Sequence, residues 1–185
     1  MKIKALFASA TAALLTACGS VDVAHYAAEK PTLELSSFFT GTIDAWGIFQ
    51  KRSGEVARRF NVEIQANWVS PNEGTLDERF TYSDGEKQRR VWTLKRQPDG
   101  TWQGTADDVV GTATGRVSGN ALRWTYVLRL PVDGKEYLVN FDDWMWQMDD
   151  ASMMNRSTMS KFGVDLGEVT LFFRKRGAPN PSEQK

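Results

Sequence analysis

The chain has 185 residues, 41% of them hydrophobic, which is enough for one domain with a real core. Basic and acidic residues balance at 23 each, which argues against a nucleic-acid partner because such a partner leaves a basic footprint. A single Cys and a single His exclude an internal disulfide framework and any Cys/His metal site, and no cofactor is expected.

In chain order, Lys2 and Lys4 stand ahead of a short apolar run over residues 5–15. A positive start followed by such a run reads as a secretion signal, and the run is too short to span a bilayer. It ends in Leu15-Thr16-Ala17-Cys18, which resembles the lipobox of bacterial lipoproteins. The resemblance implies that residues 1–17 are removed and that Cys18 carries a diacylglycerol on sulfur. Each buried methylene then contributes about 0.8 kcal/mol, and several chains together anchor stably. An ordinary signal peptide with an incidental Cys is the alternative. Gly19 stands where Asp would favour inner-membrane retention, so the resemblance implies the periplasmic face of the outer membrane. Without Lys2 and Lys4 the mature chain has 21 basic against 23 acidic residues, and only the lipid anchor ties it to the membrane. Residues 18–31 read as a polar, lipidated tether. They hold the lone His25, which is therefore a solvated residue and no base for Ser-His or Cys-His chemistry.

From residue 32 to 176 the pattern is a chain of hairpins. Residues 33–39 form a short helix or strand that plugs one end. Residues 41–50 and 55–69 make two strands, the second with Phe60, Val62, Ile64 and Trp68 on one parity. Leu76, Glu78, Phe80 and Tyr82 share the next inward face, and Ser83-Asp84-Gly85-Glu86 turns the chain. A three-residue loop with a bulge there is expected to set Phe80 opposite Arg90, Glu78 opposite Trp92 and Leu76 opposite Leu94. Residues 102–106 form the next strand, and Asp107-Asp108 break the alternation. If Gly119-Asn120 is a two-residue loop, Gly115 faces Trp124, Ala113 faces Tyr126 and Gly111 faces Leu128. Small residues then sit opposite large ones, so that rings either lie over glycines or leave room for a guest.

Residues 122–145 are the organising hairpin. Leu122, Trp124, Tyr126, Leu128 and Leu130 alternate with polar or outward residues, and Asp133-Gly134 is a strong two-residue turn. That turn pairs Val132 with Lys135, Leu130 with Tyr137, Leu128 with Val139, Tyr126 with Phe141 and Trp124 with Asp143, leaving Asp143 as the single charge on an apolar face. Trp144 and Trp146 fall on the outward parity, unless a bulge turns them into the core. Residues 149–161 read as a polar, Met-containing segment, residues 167–174 as a last strand, and residues 177–185 as a disordered tail. Consecutive short strands give an all-β, antiparallel up-and-down meander closing into a lipocalin-like barrel, with a β-sandwich as the alternative. Eight or more strands can enclose a small ligand.

Several stretches together, Gly104 through Gly115, Gly119 through Trp124, Asp142-Asp143-Trp144-Met145, Asn155-Arg156 and Lys161-Phe162-Gly163, are similar to an uncharacterised family of proteobacterial lipoproteins. The resemblance covers most of the mature domain and implies no activity.

The polar residues within this apolar pattern admit three readings. Glu78, Arg90, Asp108, Asp143, Asn155, Arg156 and Lys161 form a buried polar network, because buried charges are nearly always paired. Alternatively, Arg90 or Arg156 grips a ligand head group while Trp92, Trp124, Tyr126 and Phe141 hold its tail. Catalysis by paired carboxylates comes third, since Asp142-Asp143 and Asp107-Asp108 are sequence neighbours pointing to opposite faces. No enzyme is expected. The leading expectation is a barrel that binds a fatty acid or other amphiphilic lipid. The alternative is a structural or envelope-assembly protein with a filled barrel.

Overall fold

The computed structural model describes residues 21–132 and 134–179. Cys18, the signal segment, Asp133 and the end of the tail lie outside the described residues. Ten strands follow one another: β1 (Gly41–Lys51), β2 (Val56–Ser70), β3 (Glu73–Tyr82), β4 (Lys87–Arg96), β5 (Trp102–Thr105), β6 (Val109–Ser118), β7 (Ala121–Val132), β8 (Lys135–Gln147), β9 (Ser152–Lys161) and β10 (Val164–Lys175). Each pairs antiparallel with its sequence neighbour, and β1 pairs with β10, so the meander closes and leaves no free edge. Closure excludes the sandwich. Ten strands also widen the interior beyond the eight-strand case that side chains just fill.

The β7–β8 hairpin has the register its sequence dictates, from Val132 opposite Lys135 through Tyr126 opposite Phe141 to Trp124 opposite Asp143. Gly134 takes the positive φ (+74°) that this turn requires. The β3–β4 hairpin differs from expectation. Its loop does have three residues, since the Tyr82 N–H donates to the Glu86 carbonyl at 2.9 Å. That loop sets Glu78 opposite Arg90, Phe80 opposite Gln88 and Leu76 opposite Trp92, two residues from the expected register. A two-residue shift keeps every side chain on its face but changes each partner. On β6, Gly115 faces Trp124 as expected, but Val109 rather than Gly111 faces Leu128. Gly111, at φ +70°, absorbs the register shift between Val110 and Thr114.

The polar segment before Lys161 is a full strand, β9. Met153, Asn155, Ser157 and Met159 are buried, while Arg156 between them is exposed. This is period-two alternation in which Ser and Asn occupy inward places usually held by apolar residues.

One end of the barrel is closed by the chain ahead of β1. Leu33, Leu35, Phe38 and Phe39 are all nearly inaccessible, and Leu35–Phe38 form a single helical turn, α1. Three contacts fix this plug: the Leu33 N–H donates to the Gly119 carbonyl (2.8 Å), the Trp68 indole N–H to the Phe39 carbonyl (2.5 Å) and Lys175 Nζ to the Ser37 carbonyl (3.0 Å). Burial of each of the four apolar side chains contributes about 1.5–3 kcal/mol.

Not all of the expected tether hangs free. Val23–Tyr26 form a 3₁₀ turn capped by Asp22, with Val23 buried. Tyr26 packs on the outer face of the barrel against Trp144 and Trp146, at ring-centroid distances of 5.9 and 6.3 Å. The two Trp rings stack on each other at 6.0 Å and point outward, as their parity requires, with no bulge. His25 is exposed.

Candidate functional site

The barrel is hollow. A cavity of about 930 Å³ runs from the plug to the opposite end, with apolar walls supplied by inward positions of most strands. Its floor is Leu35, Phe39 and Leu122. Its middle holds Trp92, Trp124, Tyr126, Phe141 and Met159. Its mouth is framed by Phe49, Val132, Tyr137, Lys161, Phe162 and Leu166. Small-molecule sites range over about 300–1,000 Å³, so this one is large.

Trp124 shows how the space is kept. A Cβ on Gly104 would lie 2.5 Å from Trp124 Cζ2, and one on Gly115 would lie closer still to its Cε3. The indole therefore lies flat over two glycines, set into the wall. Trp92 meets Trp124 and Tyr126 edge-on at 5.7 and 5.4 Å, and Tyr126 stacks on Phe141 at 5.0 Å. The glycines thus serve both expected ends: a ring covers them, and because it is recessed the lumen stays open.

Polar groups gather at mid-depth in two clusters. In the first, Arg90 projects from β4 and grips Asp108 with two nitrogens, Nε at 2.9 Å and Nη2 at 2.8 Å from Oδ2. Its Nη1 lies 3.8 Å from Glu78 Oε2. Burial is the largest single influence and opposes the Arg90 charge, but the Asp108 hydrogen bonds together with Tyr126 and Glu78 outweigh it and hold the guanidinium protonated. Burial pushes Glu78 up to about 7, with Arg90 pulling the other way and Asp108 and Asp143 adding to the rise. Gln88 extends the cluster, accepting from the Tyr82 hydroxyl (2.8 Å) and donating to Asp108 (3.4 Å).

The second cluster centres on Asp143, only 6% exposed. Its Oδ2 accepts from the Tyr126 hydroxyl at 3.2 Å. Its Oδ1 accepts no well-formed hydrogen bond among the described residues. The Ser157 hydroxyl, directly opposite Asp143 on β9, donates to Asn155 Oδ1 at 3.3 Å and is still near enough to pull on the Asp143 carboxyl. Asn155 Nδ2 donates to the Trp144 carbonyl at 3.1 Å. Burial pushes Asp143 up to about 7, against the pull of the Ser157 and Tyr126 hydroxyls and Arg90. Burial and Asp143 together drive the Tyr126 phenol well above its ordinary value.

Of the residues singled out from sequence, Trp92, Trp124, Tyr126, Phe141, Arg90, Glu78, Asp143, Asn155 and Lys161 line the cavity. Asp108 stands behind Arg90. Two placements correct the expectation. Arg156 lies on the outer face, paired with Glu168 (Nε–Oε2 3.1 Å), because β9 alternates and Asn155 takes the inward place. Lys161 belongs to the mouth, 4.6 Å above the Tyr137 ring, and not to a buried network. Asp143 is also not the partner of a buried base, since Arg90 is taken up by Asp108 and Glu78. Tyr82 joins the lining from the inward face expected of it, and Ser157 and Gln88 join it without having been singled out. The inward parity of Ser157 with Asn155 and Met159 is the signal that finds it. Among the described residues no group of His, Cys, Asp or Glu is arranged to hold a metal ion.

Residues 12–175 match the model of a family described as protein of unknown function, DUF3833. The chain belongs to the DUF3833 family. No curated protein matches it. Among solved structures it is similar to a protein of unknown function of the DUF3598 family from Nostoc punctiforme, at a TM-score of 0.56 and 10% identity. That match covers 80% of this chain and 51% of the other, so the chain spans about half the length of that neighbour. Weaker matches are lobster apocrustacyanin A1 (TM-score 0.41, 11% identity, 90% and 75% covered) and the mFAP2b barrel bound to DFHBI (0.44, 9%, 77% and 98%). At these identities the first match speaks to the fold alone, and for this DUF3833 member the site must be read from its own residues.

Proposed function

We propose that this chain is a lipid-anchored envelope protein that carries one small amphiphile inside its barrel. The observation that supports the reading is the open cavity of about 930 Å³, apolar in its walls and mouth with a few polar groups at mid-depth. A recessed Trp124 and ten strands maintain that space at the cost of packing contacts, which a merely structural, filled barrel would have kept. Among the described residues the carboxylates at mid-depth are already engaged: Glu78 and Asp108 with Arg90, and Asp143 with Tyr126. The reading is therefore binding without catalysis.

The anchor rests on the resemblance of Leu15-Thr16-Ala17-Cys18 to a lipobox, with the outer membrane inferred from Gly19. Metabolic labelling of the full chain with an alkynyl fatty acid tests it. Label should enter the wild type and be lost in Cys18→Ser, and retention of label in the variant would refute lipidation at Cys18. For the cavity, a chain beginning at residue 19 keeps every described contact. Nile red, a neutral apolar fluorophore, should bind it with a blue-shifted emission and quench Trp92 and Trp124. Absence of any such binding would refute the carrier reading.

A further inference from the structure

The inference concerns the head group of the cargo and rests on the carrier reading. We infer that the lumen selects amphiphiles whose polar end donates hydrogen bonds, an alkylammonium or an alcohol, and disfavours carboxylates, with Asp143 Oδ1 as the atom that receives the donor. Three observations carry this.

Among the described residues, Arg90 is the cation at mid-depth in the lumen, and its charge is already balanced by Asp108 and Glu78. Arg90 spends its Nε and Nη2 on Asp108 and turns its remaining nitrogen to Glu78. A carboxylate ligand would therefore join Glu78, Asp108 and Asp143 around one occupied guanidinium, and like charges in a low dielectric repel strongly. Next, Asp143 lines the cavity, and its Oδ1 is a buried acceptor with no well-formed hydrogen bond among the described residues. Tyr126 is committed to Oδ2, and Ser157, opposite Asp143 on β9, donates to Asn155 at 3.3 Å while also pulling on the Asp143 carboxyl, so a ligand donor would compete with that one hydroxyl. A buried acceptor left without a donor is costly, and a ligand N–H or O–H is the group that relieves it. Finally, the apolar ends agree. Asp143 pairs with Trp124, three residues along β7 from the plugged end at Ala121, whereas the mouth is mostly apolar, with Phe162 91% exposed. Of the other lining cations, Arg58 is paired with Asp84 and Glu86, and Lys161 lies over the Tyr137 ring. An amphiphile thus enters head first, its head at Asp143 and its tail toward Phe162 and Leu166.

The groups facing Asp143 are Tyr126 on β7, Ser157 on β9, and Arg90 and Glu78 across the lumen, with Asp142 adjacent on its own strand. Because Asp143 and Glu78 both sit near 7, an ammonium head should bind more tightly as the pH rises from 6 to 8, whereas a carboxylate head should not.

The test uses three competitors with one tail, dodecylamine, 1-dodecanol and dodecanoate, displacing Nile red from the chain beginning at residue 19, each below its micellar concentration. At pH 7.5 the amine and the alcohol should displace at concentrations at least about tenfold lower than dodecanoate, the worth of one charge-assisted hydrogen bond. Asp143→Asn, which keeps the shape but removes the charge, should bring the amine to within about threefold of dodecanoate. Dodecanoate binding as well as or better than the other two would overturn the inference and leave the carrier reading standing. So would an Asp143→Asn chain that folds and keeps the wild-type order. If the variant does not fold, the wild-type pH series decides: a flat or falling amine affinity between pH 6 and 8 overturns it. Failure of Nile red and all three competitors to bind would refute the carrier reading itself, and this inference with it.

Discussion

Gly115→Ala is the most informative single substitution in the wall. Gly115 lies on β6 with no positive φ, so the backbone accepts alanine, and loss of unfolded-state freedom alone would stabilise the chain by about 0.4–1 kcal/mol. The new methyl, however, would fall inside the Trp124 ring, and the same ring also blocks Gly104 from the other side at 2.5 Å. An indole pinned between two strands is not a flexible chain end, so it must leave its recess and swing into the cavity. Overpacking of this kind costs ~1–3 kcal/mol, which exceeds the alanine gain. The expected result is a net loss of about 1–2 kcal/mol in urea unfolding, equal to a fall in melting temperature of about 2–4 °C per kcal/mol at this size. Nile red affinity should fall with it as the ring fills the lumen. The decisive control is Trp124→Leu. In that background Gly115→Ala should cost little or become stabilising, giving a coupling of at least ~1 kcal/mol in the double-mutant cycle. An alanine cost that is the same with and without Trp124 would refute the claim that these glycines exist to house the ring.

Further outcomes follow from the polar interior and the surface pairs. Glu78 and Asp143, each near 7 in the folded chain, hold protons that the unfolded chain has released by then, so the folded state binds more protons between about pH 4 and 7. Their contribution to stability is fully present at low pH and is lost as the pH rises through that window; Glu78→Gln should flatten the decline in the urea midpoint measured from pH 4.5 to 8, and an unchanged slope would count against the assignment. Arg90→Met should cost ~3–5 kcal/mol, because it strands Glu78 and Asp108 without their cation, and a melting temperature within a degree of wild type would contradict the network. Arg156→Ala removes only an exposed pair with Glu168, and should change stability by less than about 1 kcal/mol and Nile red affinity not at all. Tyr26→Ala should expose the Trp144–Trp146 pair and red-shift its emission, with little effect on the cavity; an unshifted spectrum would mean that the 3₁₀ turn does not cover it in solution.

What the sequence makes legible depends on how many local signals coincide. For β7 and β8, alternation on both strands and a turn that demands positive φ all fix one register, and that register is found. At β3–β4 alternation is equally clear, but hydrophobic matching cannot separate registers two residues apart, since both keep the same faces. There the loop decides, and it places Glu78 directly against Arg90. β9 escapes because its inward Asn155 and Ser157 are satisfied by each other and by the Trp144 carbonyl, so a buried face reads as polar. Residues 23–26 escape for a different reason. They dock on an outward Trp pair rather than on the core, and periodicity within a four-residue turn carries no signal. Arg90 reads as a charge in need of a partner, yet Asp108, at the irregular start of β6, supplies it from a turn whose geometry no pattern reveals.

If Cys18 carries the lipid proposed above, the docked 3₁₀ turn would also limit the length of the leash. Asp22 already lies within electrostatic reach of Arg123, near the plugged end of β7. Between Cys18 and Asp22 there are only four Cα steps, a span of at most ~14 Å at full extension. From Arg123 to Val132 at the mouth, β7 runs nine residues, about 30 Å. A bilayer holding Cys18 would therefore grip the barrel by its blind end, and the tether could not draw the open rim down to the point of attachment. Such a carrier would load and unload at a standoff, facing whatever stands across the gap rather than the leaflet in which it is moored.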